Sequence, residues 1–256
     1  MNKLSVVIIV KNEEADIRRC LESVKWADEI VIVDDMSTDK TIEICGEYTN
    51  KIYRRKMEGF GPQKQYGVQQ AAGEWILSID ADEIVTAELA EEIRKAIGQD
   101  EGYSSYYIYR KNNYLGRWMR YCGWYVPILR LFKKEKGGFN SAKVHEEIIV
   151  GGGAGLLKNE ILHYTYRDIS DHLEKINLFT DYGAEELIKK GVVLKWYNYP
   201  WYFIFNPLFY FLKKYIYLQG FREGTHGFIL CIFAGIVVFI KYAKVWKKQN
   251  INKACK

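Results

Sequence analysis

Two carboxylates one residue apart, Asp80 and Asp82, end the apolar run Trp75-Ile76-Leu77-Ser78-Ile79, and Glu83 follows them directly. Successive strand residues point to opposite faces, but where the chain turns at Ala81 both acids can converge on one point. Hard oxygen ligands so placed suit magnesium or manganese, ions that keep open positions for the oxygens of a substrate phosphate. The same residues also suit a solvated acidic turn capping a helix from Ala87 to Ile97. The motif alone does not separate the two readings.

Two further polar clusters end apolar runs. Asn12-Glu13 follows Leu4 to Val10, a nearly continuous Val and Ile stretch that fits a central parallel strand covered on both faces, and Asp34-Asp35 follows Glu29 to Val33. Ile17, Cys20, Leu21 and Val24 recur at helical spacing, and Ser37-Thr38-Asp39 opens a helix with good capping residues. Ile52-Tyr53 reads as a short third strand. Pro62 suits the first turn of a helix running to Ala72, with Gly73 as its stop. Strand and helix in alternation imply a doubly wound parallel sheet whose ligand site lies outside the carboxyl ends of the strands, where all three clusters fall. No Gly-x-Gly-x-x-Gly follows the first strand and no Gly-x-x-x-x-Gly-Lys-Ser/Thr occurs. A diphosphate would then be held through metal, which is the logic of a sugar-nucleotide site.

The chain has 256 residues and is 48% hydrophobic, enough for one large domain or a domain with an appendage. Its net charge of +5 is unevenly spread: Lys241, Lys244, Lys247, Lys248, Lys253 and Lys256 close the chain with no acid among them. Such a tail meets nucleic acid or an anionic membrane, and the aromatic stretches beside it favour the membrane over nucleic acid. The five cysteines are scattered without a Cys-x-x-Cys, which argues for reduced thiols in the cytosol. Met1 to Val10 reads as a buried strand rather than a signal sequence.

Tyr103 to Tyr109 and Val126 to Phe132 alternate like strands. Tyr106, Tyr107, Tyr109, Tyr114, Trp118, Tyr121, Trp124 and Tyr125 crowd this region with rings that suit sugar stacking or ordinary core. Lys143-Val144-His145-Glu146-Glu147 leads into a strand from Ile148 to Val150, and His163 follows another apolar run. A helix is expected from Ser170 to Lys190. Beyond it, Trp196 to Phe205 and Leu208 to Leu212 are apolar on nearly every face, and Phe228 to Ile240 gives 13 uncharged residues before Lys241. A membrane span needs roughly 20 residues, so helices lying in the headgroup layer over about 196–248 are expected. A soluble helical cap or an oligomer interface is the alternative.

The segments Leu4-Ser5-Val6-Val7-Ile8-Ile9-Val10-Lys11-Asn12-Glu13, Val31-Ile32-Val33-Asp34-Asp35-Met36-Ser37-Thr38-Asp39-Lys40-Thr41 and Trp75 to Glu83 resemble, in order and spacing, the family 2 inverting glycosyltransferases. Asp28-Glu29, Lys143-Val144-His145-Glu146 and the aromatic end resemble the bacterial lipopolysaccharide core glucosyltransferase branch. The resemblance implies an α/β fold of the A-type glycosyltransferase kind, Rossmann-like with a mostly parallel sheet, over residues 1–168, and a helical, aromatic-rich membrane-interface and acceptor region over 169–256. It implies that Asn12 and Glu13 line a nucleoside pocket and that Asp35 accepts a hydrogen bond from the base. Asp80 would lie near the ribose and sugar, and Asp82 would ligate Mg or Mn, with His163 as a further ligand. Lys64, near a helix amino terminus, matches the family's basic position beside the nucleotide, although an ordinary surface lysine suits the same place. Glu146 would be the base, with His145 orienting it or touching the leaving group.

The implied reaction is inverting transfer from a nucleotide-diphosphate donor, a UDP-sugar by resemblance, to a lipid-linked saccharide such as lipopolysaccharide core. It would run at the inner face of the cell membrane. A sugar nucleotidyltransferase would want a glycine-rich loop where Lys11-Asn12-Glu13-Glu14 stands, and a phosphoacceptor signalling domain would place its acidic pair after the first strand. A catalytically inert membrane scaffold on the same fold is separated from the enzyme only by activity.

Overall fold

The Val- and Ile-rich stretch Leu4–Val10 forms strand β1, buried at every position but Ile9 because strands flank it and helices cover both faces. The computed structural model describes residues 3–99, 102–141 and 146–254. After β1 come α1 (Ile17–Val24), β2 (Glu29–Asp34), α2 (Thr41–Gly46), β3 (Ile52–Arg54), α3 (Phe60–Gln70), β4 (Trp75–Asp80), β5 (Glu83–Val85) and α4 (Ala87–Gly98). Then follow β6 (Tyr103–Tyr114), β7 (Arg117–Met119), β8 (Val126–Lys133), β9 (Gly137–Phe139), β10 (Ile148–Val150), β11 (Gly153–Tyr166), α5 (Ile169–Lys189), α6 (Asn206–Leu212) and α7 (Gly224–Ala254). Two units emerge, Met1–Lys111 with Val126–Tyr164, and Asn112–Tyr125 with Thr165–Lys256.

In the first unit the strand order is β3-β2-β1-β4-β8-β6-β11-β5. The strands β3, β2, β1 and β4 run parallel, and β8 turns antiparallel against β4. This is the expected A-type arrangement. Leu4, Val6, Ile8 and Val10 pack with Ile17 and Leu21 of α1 and Leu89 and Ile93 of α4, while Val7 packs with Val68 of α3 on the opposite face. The strand period of two thus assigns alternate residues to two cores. Parallel order reverses at β1, the switch point of such sheets. Register sets Asp34 opposite Val10 and Asp80 opposite Ile9, so the three polar clusters share one rim.

Two elements differ from expectation. Helix α3 stops at Gln70, because Ala71 is already extended (φ −69, ψ 140). Strand β6 runs on to Tyr114, where Leu115 (φ 49) and Gly116 (φ 86) make a two-residue loop into β7. Both loop residues are left-handed, as the tight hairpin turn that matches strand twist requires. Leucine in the first of them hides that turn from the sequence.

Along α5 of the second unit, His172, Ile176, Thr180 and Ala184 are buried at a spacing of four. His172 stacks on Tyr166 with ring centroids 3.9 Å apart, and burial pushes its pKa down to about 4, so it is a neutral member of an aromatic core. Helix α7 is 31 residues long, since the 13-residue uncharged run continues helically in both directions. Gly220–Asn250 is therefore long and apolar enough to cross a membrane by length and composition, with 28% of its apolar window buried. Lys244 pairs with Asp181 at 2.9 Å and Lys248 with Glu185 at 3.0 Å, so part of the basic tail is neutralised within the unit. Trp201, Ile204, Phe205, Leu208, Phe209, Leu212 and Ile216 are exposed at helical spacing, as are Phe228, Ile232, Phe239 and Trp246 along α7.

Gly67 sets how closely α3 approaches the sheet, since a Cβ there would lie 2.4 Å from Val7 Cγ1. Gly67→Ala is expected to cost about 1–3 kcal/mol through overpacking, lowering the thermal unfolding midpoint by about 2–4 °C per kcal/mol. Calorimetry of the two proteins checks this, and unchanged melting would mean that α3 can back away from the sheet.

Candidate active site

The loops after β1 and β2 are laced together. Asn12 is left-handed (φ 54), which Asn tolerates better than most residues, and its Oδ1 accepts the Thr38 N–H at 2.9 Å. Its own N–H donates to Ser37 Oγ at 2.9 Å, and the Glu13 N–H donates to Thr41 Oγ1 at 2.7 Å. Asp34 is fully buried and structural: it accepts the Ser37 N–H at 3.0 Å and Arg54 Nε at 3.1 Å. Asp35 accepts Lys11 Nζ at 2.6 Å on one oxygen and the Met57 N–H at 2.8 Å on the other. Each carboxylate oxygen has a second lone pair, so Asp35 retains capacity for a ligand donor. Asn12, Glu13 and Asp35 are thus brought to one rim.

Beside them lies a buried network of charge. Arg130, on β8, donates through Nη2 to Asp80 at 2.7 Å and to Glu83 at 2.8 Å. Glu83 is 0% exposed, accepts the Asp80 N–H at 2.9 Å, and has Arg110 at 3.6 Å. Lys64, in the second turn of α3, bridges Asp80 at 2.9 Å and Glu146 at 2.7 Å. Burial by itself would raise the Asp80 pKa, but Arg130 and Lys64 outweigh it and hold the carboxyl well below the usual carboxylate range. Lys64 is buried, so the surface-lysine reading is set aside. The bound carboxylates also exclude a merely solvated acidic turn for Asp80 and Glu83.

Asp82 points elsewhere. Its carbonyl accepts the Tyr164 N–H at 3.0 Å, and β5 pairs with β11 so that Glu83 faces His163. This register puts His163 Nε2 3.3 Å from Asp82 Oδ2. Neighbouring ligands on an octahedral ion with bonds of about 2.1 Å stand about 3 Å apart, so the pair fits two positions of one magnesium or manganese. No cluster of three or more His, Cys, Asp or Glu suited to a metal occurs among the described residues. The remaining positions would fall to substrate and water oxygens, as such ions ordinarily accept. Both Asp80 oxygens meet cations, Oδ1 at Lys64 and Oδ2 at Arg130. His145 lies outside the described residues.

Arg130 is absent from the candidates the sequence offers, and Glu83 enters them only as the acid after Asp82. A signal for Arg130 is there: it interrupts the apolar strand Ile128-Leu129-Arg130-Leu131-Phe132, and a buried charge demands a partner.

The chain matches the Glycosyl transferase family 2 pattern over residues 5–162. It is 29% identical to the lipopolysaccharide core biosynthesis glycosyltransferase LpsC of Rhizobium meliloti, over 97% of this chain and 94% of that protein. Among solved structures, S. aureus TarS 1-349 shares the fold with a TM-score of 0.51 at 19% identity, over 98% of this chain and 92% of that one. The same TarS fragment in complex with UDP gives a TM-score of 0.50, at 19% identity and the same two coverages, 98% and 92%. By its family pattern, sheet and strand-end residues, this chain belongs to glycosyl transferase family 2.

Proposed function

We propose that the chain transfers a sugar from a UDP-sugar to a saccharide on a lipid carrier, with inversion at the anomeric carbon. The observation that carries this reading is the Lys64 bridge: it sets Glu146 within one ammonium's reach of Asp80, the strand-end acid expected beside the donor sugar. Asn12, Glu13 and Asp35 would hold the nucleoside at the rim. Glu146 would take the proton of the acceptor hydroxyl as that oxygen attacks the anomeric carbon from the face opposite the diphosphate. Asp82 and His163 would hold magnesium or manganese, which when bound supplies positive charge to the departing diphosphate. The charge count supports a metal: Lys64, Arg110 and Arg130 are matched by Asp80, Glu83 and Glu146, so the cluster has no surplus for an incoming anion.

Catalysis belongs in this reading to residues 1–168, and acceptor and membrane contact to 169–256. The acceptor class follows the name of LpsC, a lipopolysaccharide core enzyme. The exposed rings of Trp201, Phe205 and Phe209, with exposed Lys213 after them, are the material of a helix seated among lipid headgroups.

Three outcomes are expected. With manganese present, a UDP-sugar should raise the melting temperature where GDP-, ADP- and CMP-sugars do not, and Asp82→Ala should lose the shift; no shift with any nucleotide would remove the donor site. Glu146→Gln should keep the thermal shift and lower transfer by about 10²–10⁴-fold, and near-normal turnover would dismiss Glu146 as the base. In co-sedimentation with phosphatidylglycerol vesicles, the combined change of Trp201, Phe205 and Phe209 to Ser should lower the bound fraction. Unaltered sedimentation would turn attention to a second protein copy as the face's occupant.

A further inference from the structure

The Lys64 side chain is 5% exposed, and its ammonium is divided between Asp80 at 2.9 Å and Glu146 at 2.7 Å. The two carboxylates are unequal claimants. Asp80 is also held by Arg130 at 2.7 Å, whereas among the described residues Lys64 is the ion-pair partner of Glu146. An ammonium has three N–H donors, so these two contacts leave one for a further acceptor.

The Lys64 ammonium, 2.7 Å away, engages a lone pair of Glu146 Oε1 that would otherwise be open to an acceptor hydroxyl. Cation and base therefore oppose each other while the contact lasts. A diphosphate brings more negative charge to the same lysine than one carboxylate does, and its oxygens are strong acceptors. The flexible four-carbon stem of lysine lets the ammonium shift without moving α3.

We propose, resting on the reading that this site binds a nucleotide-diphosphate donor, that Lys64 is a positioning residue coupling donor occupancy to the base. Without donor it holds Glu146; the donor's diphosphate draws it away and leaves that carboxylate to accept the acceptor's proton. The site is then ready for proton transfer only when a donor is in place, and Glu146 competes with the diphosphate for one cation.

Competition of this kind is read by titration calorimetry with UDP and manganese chloride. Glu146→Gln, whose neutral amide oxygen holds the ammonium less strongly than a carboxylate does, should bind UDP about tenfold tighter than the unaltered protein. Glu147→Gln, which removes a charge from an exposed neighbouring side chain, should leave the affinity unchanged. In a Lys64→Met background, Glu146→Gln should no longer tighten binding, so that the double-mutant cycle isolates the contact. Equal affinity of Glu146→Gln and the unaltered protein, equal tightening by Glu147→Gln, or tightening that persists with Lys64→Met would each overturn the coupling and leave the donor site standing. Absence of UDP binding by every form would overturn the donor reading beneath it. If Lys64→Met does not fold, the comparison of Glu146→Gln with Glu147→Gln decides.

Discussion

A guanidinium buried in a β-sheet has to be neutralised where it lies, and Arg130 is neutralised by Asp80 and Glu83 together. The rest of the site hangs on that contact. Glu83, fully buried, can be tolerated because Arg130 answers its charge and the Asp80 N–H answers its second oxygen. The turn from Asp80 to Glu83 is thereby tied at both ends, which leaves Asp82 aimed away from the network and toward His163. Asp80 in turn anchors Lys64, and Lys64 anchors Glu146. One residue on β8 thus organises side chains delivered by α3, β4 and the segment before β10.

Much of the first unit is legible in the sequence because its signals are local. Unbroken Val and Ile runs mark β1 and β2, spacing marks α1, and the acids that end the strands mark the rim. What escapes is created by register. Nothing near Arg130 in sequence says that it will lie across from Asp80, 50 positions away, or that Lys64 will meet Glu146 across 82 positions. The turn at Leu115-Gly116 escapes for another reason: leucine rarely accepts a left-handed backbone, so local propensity argued against the hairpin that tertiary packing imposed. Lys64 shows the limit of composition, since a lysine on a polar helix looks the same in sequence whether it is solvated or sealed beneath two carboxylates.

The second unit follows a different economy. Its helices bury one stripe each, at His172, Ile176, Thr180 and Ala184 on α5 and at Leu230, Cys231, Val238 and Val245 on α7, while other faces just as apolar remain uncovered. Large rings left in water are costly in a chain that has ample polar residues to spend there. The lysines that would otherwise give this unit a uniformly basic end are partly consumed by Asp181 and Glu185, so its attraction to an anionic surface is less than a count of lysines suggests.

Three positive and three negative side chains interlock in the network around Asp80. Charges that alternate over a few ångströms cancel as seen from a distance, so their combined potential decays faster than that of a lone ion. Such a site casts almost no net beyond its own mouth. An anion in bulk solvent gets little guidance from it and feels its strength only on contact, where each carboxylate and each cation is met singly. This cluster therefore adds little long-range attraction for an anion, and what it offers is felt at contact.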